Sequence, residues 1–162
     1  MSLKTYDIIN ATRTNFLKLV DALTLEELNE IPSGYSNNIA WNFCHIVAAQ
    51  QIICYIKAGV DTRIPMERIM KYSKGTRPEG QISQEEIDFY KEHLFSLIEN
   101  LQQDEESRYL HSYEPFTTMY GVELASNTDA TEYVATHDAL HYGYSLALKR
   151  AILTTQIATQ VS

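Results

Sequence analysis

The sequence lacks the apolar leader of a secreted protein. It opens Met1-Ser2-Leu3-Lys4-Thr5-Tyr6-Asp7, with no hydrophobic run to read as a signal segment. Its most apolar region, Ile46 to Val60, is interrupted by Gln50, Gln51 and Lys57. It reads as too short to span a bilayer, so no membrane is expected. A basic cluster is also missing. Thirteen Lys and Arg stand against 21 Asp and Glu, a formal net charge of -8, so nucleic acid, which needs a basic face, is not an expected partner. The only two cysteines, Cys44 and Cys54, fall on one expected helix. At 1.5 Å per residue they sit roughly 15 Å apart, beyond disulfide reach. Both read as small core residues, and unpaired thiols fit a reducing cytoplasm. Internal repeats, low-complexity segments and strict strand-like alternation are lacking too.

What is present is helical periodicity. With 162 residues, 44% hydrophobic and 21% charged, the chain suits one globular domain with a real core. The first stripe, over about Leu3 to Leu23, consists of Ile9, Thr12, Phe16, Leu19, Val20 and Leu23. Thr24-Leu25-Glu26-Glu27 has capping-box spacing and opens a short turn that stops before Pro32. Ser33-Gly34-Tyr35-Ser36-Asn37 reads as a turn into a second helix over about Asn38 to Ala58, closed by Gly59. Pro65, Gly75, Pro78 and Gly80 mark a long connection. A third helix follows Ser83-Gln84-Glu85-Glu86 and carries Ile87, Leu94, Leu97, Ile98 and Leu101. A second long connection, Gln102 to Asn127, is rich in aromatics and is expected to pack over one end of the helices. The fourth helix spans about Asp129 to Leu153. The expectation is an all-α four-helix bundle over residues 1–153, with a frayed tail at 154–162.

The histidines carry the chemistry. His137 and His141 are four apart on the last helix, so their imidazoles project from one face and can reach one metal. His45 lies on the second helix with Trp41, Ala48, Ala49 and Ile52 around it, so it points inward. A buried imidazole needs partners for both ring nitrogens. Three inward histidines on two helices are more simply satisfied by a metal than by hydrogen bonds alone. Such a site keeps an open coordination position, and Zn, Ni or Fe would accept it. A bound metal would activate water or a thiol near neutral pH. His93 reads as an outer-face residue and His111 as a loop residue of the aromatic connection.

Three segments give the layout a family resemblance. Leu25-Glu26-Glu27-Leu28-Asn29-Glu30-Ile31-Pro32 precedes the second helix; Tyr35-Ser36-Asn37-Asn38-Ile39-Ala40-Trp41-Asn42-Phe43-Cys44-His45 reads as a Ser-capped helix reaching the first histidine; Thr136-His137-Asp138-Ala139-Leu140-His141-Tyr142-Gly143 carries His-x-x-x-His. Together they resemble the DinB-like (YfiT-like) superfamily of metal-binding four-helix bundles, over the chain to about Ile152. The resemblance implies an up-down-down-up bundle with His45, His137 and His141 as a facial triad. It also implies a small-molecule substrate, a low-molecular-weight thiol in transfer or isomerisation or else hydrolysis, and a homodimer. Two departures stand out. Tyr142-Gly143-Tyr144 replaces the Arg-x-Gln of many members, and Gln50 and Gln51 stand where a Glu is common.

Around the triad, Asp138 either orients an imidazole or is a solvated surface carboxylate. Tyr144, three residues after His141, is a candidate proton donor or a packing residue. Trp41 is expected to line the pocket. The segment His137-Asp138-Ala139-Leu140-His141 only mimics the zinc-peptidase His-Glu-x-x-His, and a di-iron bundle needs two Glu-x-x-His motifs. The rival from another class is a non-catalytic, metal-stabilised helical module that binds a small ligand or a protein partner.

Overall fold

The computed structural model describes residues 3–160, and the side chains of 4–154. Four long helices dominate: α1 (Leu3–Asp21), α3 (Ile39–Gln50), α5 (Gln84–Glu106) and α6 (Asn127–Gln160). Two short ones, α2 (Leu25–Asn29) and α4 (Met66–Lys71), lie between them. Strands β1 (Phe116–Thr117) and β2 (Glu123–Leu124) form a small antiparallel hairpin, with Phe116 opposite Leu124. Both α1 and α3 pack against α5 and α6.

The stripe on α1 is phased differently from the expectation. The buried residues are Tyr6, Ile9, Arg13, Phe16, Leu19 and Val20, so Arg13 occupies the core position assigned to Thr12, which is only half-buried. A guanidinium inside a helical core needs a partner, and α6 supplies it.

Thr24 caps α2 as its spacing predicts. Its hydroxyl accepts from the Glu27 N–H at 3.2 Å, and the Glu27 carboxylate accepts from the Thr24 N–H at 2.8 Å. Removing a cap of this kind costs about 1 kcal/mol. Thr24→Ala is therefore expected to lower the urea midpoint modestly. The second box is half-formed. Ser83 accepts from the Glu86 N–H at 3.2 Å, but the Glu86 carboxylate turns to Lys71 at 2.6 Å and Arg68 at 3.5 Å.

Every residue of α3 is buried. The helix does not continue to Ala58 as α-helix; Gln51–Ile56 is a π-helix, with Lys57 N–H donating to the Ile52 carbonyl at 3.1 Å. The extra residue per turn leaves Gln51 buried, where its Oε1 accepts from the Arg63 N–H at 2.7 Å. Gly59 ends this helix with φ +70, the left-handed conformation that a C-terminal glycine supplies. Ile39–Ile56 is long and apolar enough to cross a membrane, contrary to the reading of the interrupted run, but 89% of it is buried inside the protein. It is the core helix.

The last helix starts two residues earlier than expected and continues through the expected tail to Gln160; residues 161–162 lie outside the described residues. The core falls into two clusters. One gathers Phe16, Phe43, Ile46, Leu94 and Leu148, and the other Tyr6, Ile9, Tyr55, Ile98 and Val134. Between them on α1, α3 and α6 lie Arg13, Gln50 and Asp138, all fully buried. This polar layer touches the site.

Candidate metal centre

The cap of α3 is Asn38 rather than the expected serine; its side chain accepts the Trp41 N–H at 2.8 Å, and His45 lies two turns along the helix. The His45 Nδ1–H donates to the Tyr72 carbonyl at 2.5 Å. A carbonyl oxygen only accepts, so the proton sits on Nδ1 and the lone pair on Nε2. His141 is held in the same tautomer. Its Nδ1 lies 2.8 Å from Asn42 Oδ1, and the Asn42 amide is oriented by its own Nδ2, which donates to the Asn38 carbonyl at 2.7 Å. His137 Nδ1 stands 3.9 Å from Asp138 Oδ1, beyond hydrogen-bond length but close enough for an electrostatic pull.

The three rings converge. Centroids are 5.1 Å apart for His45 and His137, and 4.5 Å for each of the other two pairs. One candidate ligand atom from each histidine lies within 4.8 Å of the others, a group that could hold a metal ion. The donor chemistry fits: partners at Nδ1 of His45 and His141 leave their Nε2 free, the arrangement by which outer hydrogen bonds orient metal-ligating imidazoles. Burial, with the charge of His137 behind it, pushes His45 down to about 4. Burial followed by the charges of His45 and His137 pushes His141 down to about 2. Both are neutral at physiological pH, the form that binds a metal.

Trp41 stacks on His45 at 4.5 Å and 14°, and its Nε1–H donates to Thr76 Oγ1 at 3.2 Å. It lines the cavity over the histidines, as expected. Tyr144 does not reach that cavity. Its ring packs edge-on against Tyr35 at 5.9 Å, because three residues past His141 the helix has carried it beyond the triad. The phenol that does line the cavity is Tyr133, one turn before His137. Burial, then Tyr120, raises its pKa, so it stays a proton donor. His93 stacks on Phe89 at 4.2 Å on α5, and exposed His111 hydrogen-bonds the Tyr109 carbonyl; neither lines the cavity.

Asp138 is not a solvated carboxylate. It is fully buried, and its Oδ2 accepts from Arg13 Nε at 2.8 Å. Arg13 also donates to the Leu94 carbonyl at 2.7 Å and to Gln50 Oε1 at 3.4 Å. Gln50 Nε2 donates in turn to the Leu97 carbonyl at 2.9 Å. Asp138 Oδ1 has no hydrogen-bond partner, although it is buried. The amide at Gln50 thus belongs to the core layer behind the site.

The family model for the DinB superfamily matches residues 8–145. The chain belongs to the DinB superfamily. Among solved structures, this DinB-superfamily chain is similar to one titled "Crystal structure of the conserved protein of locus from Enterococcus faecalis". The TM-score is 0.61 at 10% identity, covering 95% of this chain and 99% of that one. At that identity the likeness speaks for the fold alone. No curated protein matches the sequence. The match was legible in the segments around His45 and His137. Asn42 and Tyr72, which set the histidine tautomers, were not read as site residues, though a polar Asn between Trp41 and Phe43 was a usable signal.

Proposed function

We propose that this DinB-superfamily chain is a metal-dependent enzyme acting on a small molecule. In this reading His45, His137 and His141 hold one divalent ion, zinc or nickel in preference to iron, in a bundle of up-down-down-up order. A metal bound there lowers the pKa of a coordinated water or small thiol and so supplies a nucleophile for transfer, isomerisation or hydrolysis. The observation that carries the reading is the pair of fixed tautomers: the Tyr72 carbonyl and Asn42 Oδ1 hold the Nδ1 protons of His45 and His141. A buried imidazole and a half-buried one present lone pairs beside a third, an arrangement suited to a cation.

The chain's own residues then have defined tasks. Trp41 covers one face of His45 and limits water there. Asp138 lends negative charge to the Nδ1 side of His137, and Arg13 keeps that carboxylate in place. Tyr133 can pass a proton to a leaving group in the cavity. The reading includes a cytoplasmic homodimer, the family's habit; size-exclusion chromatography with light scattering checks it.

Elemental analysis of purified protein tests the metal directly. About one equivalent per chain is expected, falling below a tenth in His45→Ala and His137→Ala while the far-ultraviolet circular dichroism stays helical. A metal-free wild type would sink the enzyme reading. Collapse of the helical signal on chelation would instead favour the metal-stabilised module without chemistry.

A further inference from the structure

The cavity over the three histidines has a volume of about 480 Å³, within the range of small-molecule sites. Its walls are apolar: Ile52, Ile53, Phe116, Met119 and Leu140 face it together with Trp41. The charged side chains among its lining residues are Lys57 and Lys74, and no carboxylate lines it. In a chain of net charge -8 this is a local inversion of sign. Lys57 is already engaged, donating to Glu114 at 3.1 Å and lying 5.5 Å over the Phe116 ring. Lys74 is exposed and makes no ion pair among the described residues. It is held at the cavity by the turn at Gly75, whose φ of +92 disfavours residues other than glycine.

We propose that this cavity takes a small organic anion. The ligand has a donor atom at the histidine end, an apolar body against the wall residues, and one carboxylate or comparable acid group at Lys74. A cation at the mouth of an apolar cavity attracts an anion more strongly than it would on open surface, because low-dielectric walls focus its field. A cationic ligand would meet Lys74 and any bound metal with the same sign. The donor-atom part rests on the metal reading; the acid-group part rests on the cavity and Lys74 alone.

The probes are para-(mercaptomethyl)benzoate, its methyl ester and para-(mercaptomethyl)benzylamine, in which an ammonium replaces the acid group, titrated calorimetrically into zinc-loaded and chelator-treated protein. The acid is expected to bind about tenfold more tightly than the ester, and the amine least. Lys74→Met should cut that preference below twofold, and Lys74→Glu should turn it toward the amine. Equal binding of acid and ester overturns the proposal, as does a preference that survives both Lys74 variants, or no binding of the acid at its solubility limit. If zinc does not bind, yet the metal-free protein prefers the acid and loses the preference in Lys74→Met, the metal reading falls and the anion site stands.

Discussion

Replacing Arg13 by methionine is expected to destabilise the protein by about 3–5 kcal/mol, the usual result of leaving one member of a buried ion pair uncompensated. Asp138 would remain in the core with its Oδ2 stripped of the 2.8 Å bond from Arg13 Nε and its Oδ1 already without a partner. The Leu94 carbonyl and Gln50 Oε1 would each lose a donor as well. Asp138→Leu alone should be costly for the mirror reason, since a buried guanidinium would keep only the carbonyl and the amide. The double variant Arg13→Met with Asp138→Leu removes both charges together. It should recover to within about 1 kcal/mol of wild type, because a desolvated pair is often no better than well-packed apolar residues. Urea unfolding of the four proteins closes the cycle. Additive losses in the double variant would sink the idea that the pair's members depend on each other.

Stability is therefore a weak reason for a charge pair in this core, and the geometry offers another. Asp138 stands beside His137, with Oδ1 3.9 Å from Nδ1. Arg13 fixes the carboxylate through Oδ2, so Oδ1 faces the Nδ1 side of His137 and the ring's other nitrogen is left toward the cavity. Loss of such an outer partner typically costs 10–100-fold in metal affinity. The recovered double variant should thus be stable and still bind zinc more weakly, by a competition titration. A purely structural pair would leave the affinity unchanged.

How far the sequence reveals this depends on the range of each signal. Helix positions follow from local periodicity and caps, so Thr24, Asn38 and Ser83 mark starts correctly to within a residue or two. His137 and His141 are four apart on one helix, and their shared face is fixed by geometry within a single turn. Arg13 is different. Its partner is 125 residues away, and an arginine in a stripe looks like a solvated edge until the partner is known. The apolar residues near it allow a phase through Thr12 just as well. Asp138 was open for the same reason, since its burial depends on α1 rather than on anything near it in the chain. The π-helix at Gln51–Ile56 has no composition signal, because it records a register shift among residues that are all compatible with helix. Tyr144 shows the limit of wheel arguments. Three residues place two side chains near one another on a helix, but whether both reach the same cavity depends on where the neighbouring helices end it.

The second large effect is expected in acid. In the metal-free protein His45 is pushed down to about 4 and His141 to about 2, in both cases first by burial. An unfolded histidine titrates near 6.5. Below that pH the unfolded chain takes up protons that the folded chain refuses, so stability falls as pH falls. The contribution is fully present above pH 6.5 and is lost as pH falls from there, with the His45 part gone by about pH 4. For His45 alone the loss amounts to about 3 kcal/mol, and His141 adds to it in the same direction. Most carboxylates in the unfolded chain titrate near 4, so the interval from 6.5 to 5 reports on histidines. Thermal unfolding of chelated protein across that interval should show a falling midpoint, and the double variant His45→Gln with His141→Gln should flatten it. A midpoint in the wild type that stays level from pH 6.5 to 5 would contradict neutral His45 and His141 imidazoles in the fold. Zinc adds a second reading of the same groups. Because the folded His45 and His141 imidazoles are still neutral at pH 5.5, protons compete poorly for them. The stabilisation by zinc at a fixed concentration one hundred times its dissociation constant at pH 7, about 2.7 kcal/mol, should persist there, whereas a surface-exposed histidine site would already be releasing its metal.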